Sequence, residues 1–172
     1  MRKMKKLFFA LLLSAILPVY SCHKEEMKAA PEPKPVPAPA FTLTNLAGKQ
    51  VSLADYKGKP LLINIWATWC APCVAELPEL QNLYNHRKDS LTLLEINYKE
   101  PHDTVDAFIK KNEYSMEVLL DEKGDVGRDY QMFGLPTSYF VDSNGVIQHT
   151  YMGDMTRDII NDGLKRISVD PY

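Results

Sequence analysis

The 172-residue chain predicts an α/β domain built on a mixed β-sheet with helices on both faces and a β-hairpin at its start. Three observations carry that expectation. Short apolar, β-branched runs alternate with longer amphipathic stretches from residue 61 onward, the pattern of strands joined by crossover helices. Two strand-like runs near the end are joined by Asp142-Ser143-Asn144-Gly145, whose Asn-Gly pair is a strong turn signal, so part of the sheet must be antiparallel. The part left after a leader and a linker, residues 41–172, is the size of one domain.

The leader comes first. Arg2, Lys3, Lys5 and Lys6 precede an eleven-residue apolar run, Leu7 to Leu17, interrupted only by Ser14. A basic segment, a short apolar segment and a small residue before a break describe a secretory signal, and a bilayer span needs about 20 apolar residues. The four charges and the proline tract that flank the run argue against a buried core helix. Residues 1–21 are therefore expected to be a signal peptide. Residues 22–40 read as a linker: Pro31, Pro33, Pro35, Pro37 and Pro39 recur at alternate positions, which argues against sheet pairing and helix alike. Such a spacer extends about 3.1 Å per residue, a reach of roughly 50 Å.

The remaining elements follow in order. Phe41-Thr42-Leu43 and Gln50-Val51-Ser52-Leu53 flank Asn45-Leu46-Ala47-Gly48 and read as a hairpin. Leu61 to Trp66 is a buried strand, residues 72–88 a helix, and Leu91 to Asn97 a second strand. A helix over residues 104–112, capped by Asp103, leads to a short strand at 117–120 and a short helix around 126–132. Strands at 137–141 and 146–151 form the late hairpin, and a helix over 156–167 closes the domain. No basic stripe or acidic block accompanies the net charge of −2, which argues against nucleic-acid binding.

Chemistry concentrates at Trp69-Cys70-Ala71-Pro72-Cys73, between the first central strand and the long helix. Two thiols at this spacing serve either redox exchange or half of a metal site. Zinc needs three or four protein ligands, yet no second cysteine pair exists and His23, His86, His102 and His149 are scattered, so no metal is expected. Cys70 stands where the helix begins, and the unpaired N–H groups there favour its thiolate, so it is the expected attacking thiol. Pro72 suits an early helical position. Cys73, inside the first turn, is the expected resolving thiol. Glu76, three residues further, shares its side of the helix; buried there it would hold or pass the proton that exchange requires.

This stretch resembles the thioredoxin superfamily, and more closely its exported TlpA/ResA-like branch. The resemblance covers nearly all of residues 41–167. It rests on Gly58-Lys59-Pro60, on Asn64-Ile65-Trp66-Ala67-Thr68-Trp69-Cys70-Ala71-Pro72-Cys73, on Glu76-Leu77-Pro78 and on Gly134-Leu135-Pro136-Thr137. It implies a thioredoxin-like fold, a functional glutamate at Glu76, and a cis proline at Pro136 facing the dithiol. Leu135 before it would then offer its backbone to a substrate strand. Asn64 departs from cytosolic thioredoxins, which carry a buried aspartate there. An amide cannot act as a base, and Glu76 is expected to do that work instead. Trp66 is expected in the core, Trp69 at the substrate surface, and Pro78 to kink the helix. A peroxidase of related fold needs a threonine where Ala67 stands, and a copper chaperone needs a wider cysteine spacing.

The third cysteine, Cys22, follows Val19-Tyr20-Ser21, which resembles the lipobox of bacterial lipoproteins. Acylated there, it would anchor the mature chain in a membrane and leave one redox pair. Lys24-Glu25-Glu26 also resembles a surface-export tag. These features imply an envelope-located, lipid-anchored thiol–disulfide oxidoreductase facing the periplasm or the cell surface. It would work without a dissociable cofactor, acting mainly as a reductant of protein disulfides and drawing electrons from a membrane thiol donor. The alternatives are a general disulfide oxidase or isomerase, or a non-catalytic lipoprotein that displays a thioredoxin-like binding surface. Cytochrome c maturation is one setting in which such relatives act.

Overall fold

The computed structural model describes residues 36–172. The signal segment, Cys22 and the linker up to Pro35 lie outside the described residues. Eight strands form one sheet: β1 (Val36–Pro37), β2 (Thr42–Asn45), β3 (Gln50–Ser52), β4 (Leu61–Trp66), β5 (Thr92–Tyr98), β6 (Glu117–Asp121), β7 (Thr137–Val141) and β8 (Val146–Met152). Their order across the sheet is β1-β8-β7-β4-β5-β6-β2-β3. The helices are α1 (Ala71–Arg87), α2 (His102–Lys111), α3 (Asp125–Asp129) and α4 (Arg157–Arg166). Strands β4, β5 and β6 are parallel; β7 runs antiparallel to β4, β8 to β7, and β2 to β6.

Strand β4 lies at the centre and is buried at all six positions, because helices cover one of its faces and the early hairpin and α3 the other. Two right-handed crossovers in the same direction, β4-α1-β5 and β5-α2-β6, put α1 and α2 on one face. There Leu62 and Leu93 of the sheet pack with Leu77, Leu80 and Leu83 of α1, Val105 and Ile109 of α2, and Ile160 and Leu164 of α4. The opposite face carries Ile63, Ile65, Leu94 and Ile96 against Phe41, Val51, Val126 and Tyr130. Each fully buried side chain of this size contributes about 1.5–3 kcal/mol. Together the two layers hold the end of β4, and with it the start of α1, in place.

The structure departs from the sequence expectation in three places. Val36 and Pro37 pair with Ile147 and Val146 of β8, and Ala38 N–H donates to Gly145 O at 2.9 Å, so the proline-rich tract does join the sheet. It does so at the edge, where a strand has only one neighbour and the N–H that proline lacks can be spared. Helix α2 begins at His102, after Pro101 in extended conformation, and Asp103 makes no capping bond. Asp103 instead lies in the first turn, where its charge still faces the positive end of the helix, and it pairs with the His102 ring at 3.0 Å. A 3-10 turn at Leu53–Tyr56 has no counterpart in that expectation, although Ser52 and Asp55 form a capping box that the sequence carries openly. Among the described residues no helix is long and apolar enough to cross a membrane.

Candidate active site

Strand β4 stops at Trp66, and the chain turns through Ala67-Thr68-Trp69 into α1. That turn is clamped from β5. Lys99 adopts a left-handed conformation (φ 58°) just past the strand, and the neighbouring Glu100 is buried at the turn. Thr68 donates to Glu100 twice, from N–H at 2.7 Å and from Oγ1 at 2.5 Å, while Asn97 Nδ2 holds the same carboxylate at 2.8 Å. Three charge-assisted bonds on one buried acid set the approach of the chain to Cys70.

Cys70 is the N-cap of α1 in extended conformation; its Sγ accepts from Cys73 N–H at 3.3 Å, and its carbonyl accepts from Val74 N–H at 3.0 Å. Pro72 occupies the first turn, where no N–H is needed. The two sulfurs are joined in a disulfide, with Cα atoms 5.2 Å apart. Cys70 retains 6% exposure and Cys73 none, so a second disulfide or thiol can approach only Cys70. Beside Cys70 lies a groove of about 560 Å³ bordered by Trp69, Pro72, Tyr98, Phe133 and Leu135. Trp69 is 67% and Phe133 91% exposed, so two large aromatic side chains stand in solvent at its rim. Isolated exposed apolar residues are ordinary, but a pair bordering a reactive sulfur marks a contact surface. The Leu135–Pro136 bond is cis. Leu135 lines the groove, whereas Pro136 is buried behind it and is not part of the lining.

Glu76 is 3% exposed on the inner side of α1. Its carboxylate accepts from Asn64 Nδ2 at 2.7 Å and from Met155 N–H at 2.8 Å. Burial pushes its pKa up from 4.5 to about 7, outweighing those two donors, with the Asp154 charge adding to the rise. Such a group exchanges its proton near neutrality, which is what a partner to a thiol needs. Asn64, fully buried on β4, gives its second Nδ2 bond to Ser138 Oγ at 2.9 Å, so the amide spans β7, β4 and α1. Trp66 is core, its ring 5.5 Å from that of Phe108. Pro78 lies within α1, which continues past it to Arg87. Glu79 of α1 pairs with Arg157 of α4 at 2.8 Å, tying the far side of the helix down.

The structure thus brings Trp69, Cys70, Cys73, Glu76 and Leu135 to one end of the parallel strands. Sequence reasoning missed Glu100, Asn97, Ser138 and Phe133. One signal did point to Glu100: it closes the loop at the carboxyl end of a parallel strand, where α/β sheets gather their sites. Among the described residues no group of three or more His, Cys, Asp or Glu side chains is placed to hold a metal ion.

The chain matches the AhpC/TSA family over residues 36–150. It is 38% identical over 123 residues to the thioredoxin-like protein YneN of Bacillus subtilis, covering 70% of this chain and 72% of that one. It is 31% identical over 150 residues to the thiol-disulfide oxidoreductase ResA of Bacillus thuringiensis subsp. konkukian, covering 87% and 84%. Among solved structures, the exposed lipoprotein thioredoxin of Streptococcus pneumoniae aligns with a TM-score of 0.67 at 29% identity, over 74% of this chain and 98% of that one. The fold is the thioredoxin-like one.

Proposed function

The chain belongs to the AhpC/TSA family and is a thiol–disulfide oxidoreductase, and from that premise we propose that it reduces protein disulfides in the bacterial cell envelope. The observation that carries this reading is the asymmetry of the pair: an accessible Cys70 at a helix start, over a sealed Cys73 with Glu76 on the same helix face.

In the reduced enzyme the Cys70 thiolate attacks one sulfur of a substrate disulfide, and the departing substrate thiolate takes a proton from solvent. The resulting mixed disulfide occupies the groove, with an extended substrate segment along the Leu135 backbone and apolar contacts to Trp69 and Phe133. The Glu76 carboxylate accepts the Cys73 proton, and the Cys73 thiolate attacks Cys70 Sγ. The second substrate thiolate leaves, and the Cys70–Cys73 disulfide remains. Two electrons have passed to the substrate, and a membrane thiol donor restores them by the reverse exchange.

Residues 1–21 act as a signal peptide, Cys22 carries the lipid, and residues 22–35 space the domain from the membrane. Two things support this placement: the lipobox-like segment, and the lipoprotein named among the structural neighbours. A role in cytochrome c maturation is the more specific form of the reading. Replacing Cys73 with Ser in the native membrane tests it, because the mixed disulfide on Cys70 can no longer resolve. Recovery of apocytochromes on Cys70 is the expected result. A broad set of secreted proteins would remove the maturation role, and no trapped protein at all would remove the reductant role.

A further inference from the structure

Glu95 lies in the middle of β5 with no exposure, and neither of its carboxyl oxygens has a hydrogen-bond partner. Its side chain falls on the face of Leu93, toward α1 and α2. Asn64 is its registered neighbour on β4, and Asn97 stands beside Trp66 in the same way one step further along. The Asn64 and Asn97 Oδ1 atoms and the Trp66 indole N–H are also unpartnered, so two adjacent strands carry a buried polar strip beneath α1. The strip has Glu76 at Asn64 and Glu100 at Asn97. A single unpartnered carboxylate in such a place costs several kcal/mol, and a valine or leucine would fill it without that cost.

We propose that Glu95 is a positioning residue of the dithiol site: a neutral acid that donates through Asn64 toward the ionised Glu76 and so sets when Glu76 accepts the Cys73 proton. This rests on the reading of Glu76 as the acceptor of that proton. Strands in a sheet lie about 4.8 Å apart, so registered side chains reach one another, and Asn64 Oδ1 is an open acceptor. Asn64 Nδ2 already donates to Glu76. A proton donated into Oδ1 polarises the amide and strengthens that bond when Glu76 is charged. Burial and the charge of Glu76 both push the Glu95 pKa well above 4.5, toward the protonated form that can donate. The titratable groups facing the pair are Glu76 and Cys73 on α1, Asp154 before α4 and Tyr114 after α2; among the described residues no cation acts on either carboxyl.

The test compares Glu95→Gln, which keeps a donor for Asn64, with Glu95→Leu, which removes it. Infrared spectra of the oxidised protein from pH 5 to 9 read protonated carboxyl groups directly, with or without turnover. Glu76→Gln should keep one protonated carboxyl band above pH 8, and adding Glu95→Gln or Glu95→Leu to that variant should abolish it. The Glu76 midpoint, read in the same spectra, should rise by roughly one pH unit in Glu95→Leu and stay near wild type in Glu95→Gln. The exchange rate should follow the same shift. Loss of the band by pH 8 in Glu76→Gln overturns the proposal and needs no substitution at Glu95. So does an unmoved midpoint in Glu95→Leu. Failure of the exchange assay in wild type would count against the proposed function alone, because the infrared midpoints are read without it.

Discussion

Replacing Glu76 with Gln should make the protein more stable at alkaline pH while leaving its stability at acid pH unchanged. In the folded chain burial holds the Glu76 pKa at about 7, against 4.5 for the free group. Between those values the folded state keeps a proton that the unfolded chain has released. Stability from this group is therefore complete below pH 4.5, declines as pH rises, and is lost once pH passes 7. The gap of roughly 2.5 pH units, at about 1.4 kcal/mol each, amounts to about 3 kcal/mol by pH 8. Glutamine avoids the whole of it, provided its hydrogen bonds can be met. They can: the Oε1 of the substituted side chain accepts from Met155 N–H, and a flip of Asn64 turns its Oδ1 toward the new amide. Ser138, a hydroxyl, then donates where it had accepted. Urea unfolding of the oxidised proteins at pH 4.5 and pH 8 measures the difference, and the disulfide keeps the cysteines from titrating. Equal stability at pH 4.5 and a gain of about 3 kcal/mol for the variant at pH 8 are expected. Parallel pH dependences for the two proteins would refute the argument, because they would mean that Glu76 titrates alike in both states.

Two further substitutions test how the site is held. Gly163→Ala on α4 would place a Cβ 2.3 Å from two atoms of the Phe140 ring, and Phe140 is fully buried on β7. The helix-propensity gain of about 1 kcal/mol is smaller than this overlap, so a net loss of about 1–3 kcal/mol and a lower melting temperature are expected; a variant that melts higher would contradict it. Thr68→Val keeps the side-chain shape and the backbone bond to Glu100 but deletes the hydroxyl donor. A buried acceptor left open costs about 1–3 kcal/mol, and exchange should slow several-fold without moving the Glu76 midpoint. A shifted midpoint with an unchanged rate would show that Glu100 acts electrostatically instead of by holding the turn.

The elements legible in the sequence are those with local causes. Leu61 to Trp66 is apolar at nearly every position because both faces of β4 are covered, and the Asn144-Gly145 turn carries its own geometry, with Gly145 at φ 80°. The capping box at Ser52 is equally local and was there to be read, three residues apart in the chain. The misjudged edge strand at Val36–Pro37 is different in kind. Proline's missing N–H matters only where two neighbours compete for the backbone, and strand order across the sheet is not a local property. The clamp of Thr68 by Glu100 joins residues 32 apart: the place of Glu100 at the end of a parallel strand hints at a site, but its pairing with Thr68 comes from the fold alone.

The sequence by itself determined the chemistry that covalent spacing and helix geometry suffice to define. Two thiols three positions apart at a helix start, and a carboxyl one turn beyond on the same side, follow from the order of residues alone. Only the tertiary structure decided how those groups behave. Cys70 is reachable and Cys73 is not because the packed core encloses Cys73 in the first turn of α1 and leaves the N-cap Cys70 partly open at the surface. Glu76 exchanges its proton near neutrality because the core around it excludes water. Glu95 reads from sequence as one polar residue in a strand, and becomes an unpartnered buried acid only once α1 and α2 cover β5. Desolvation depends on everything packed around a group, and that is settled by the whole fold and not by the residues next to it in the chain.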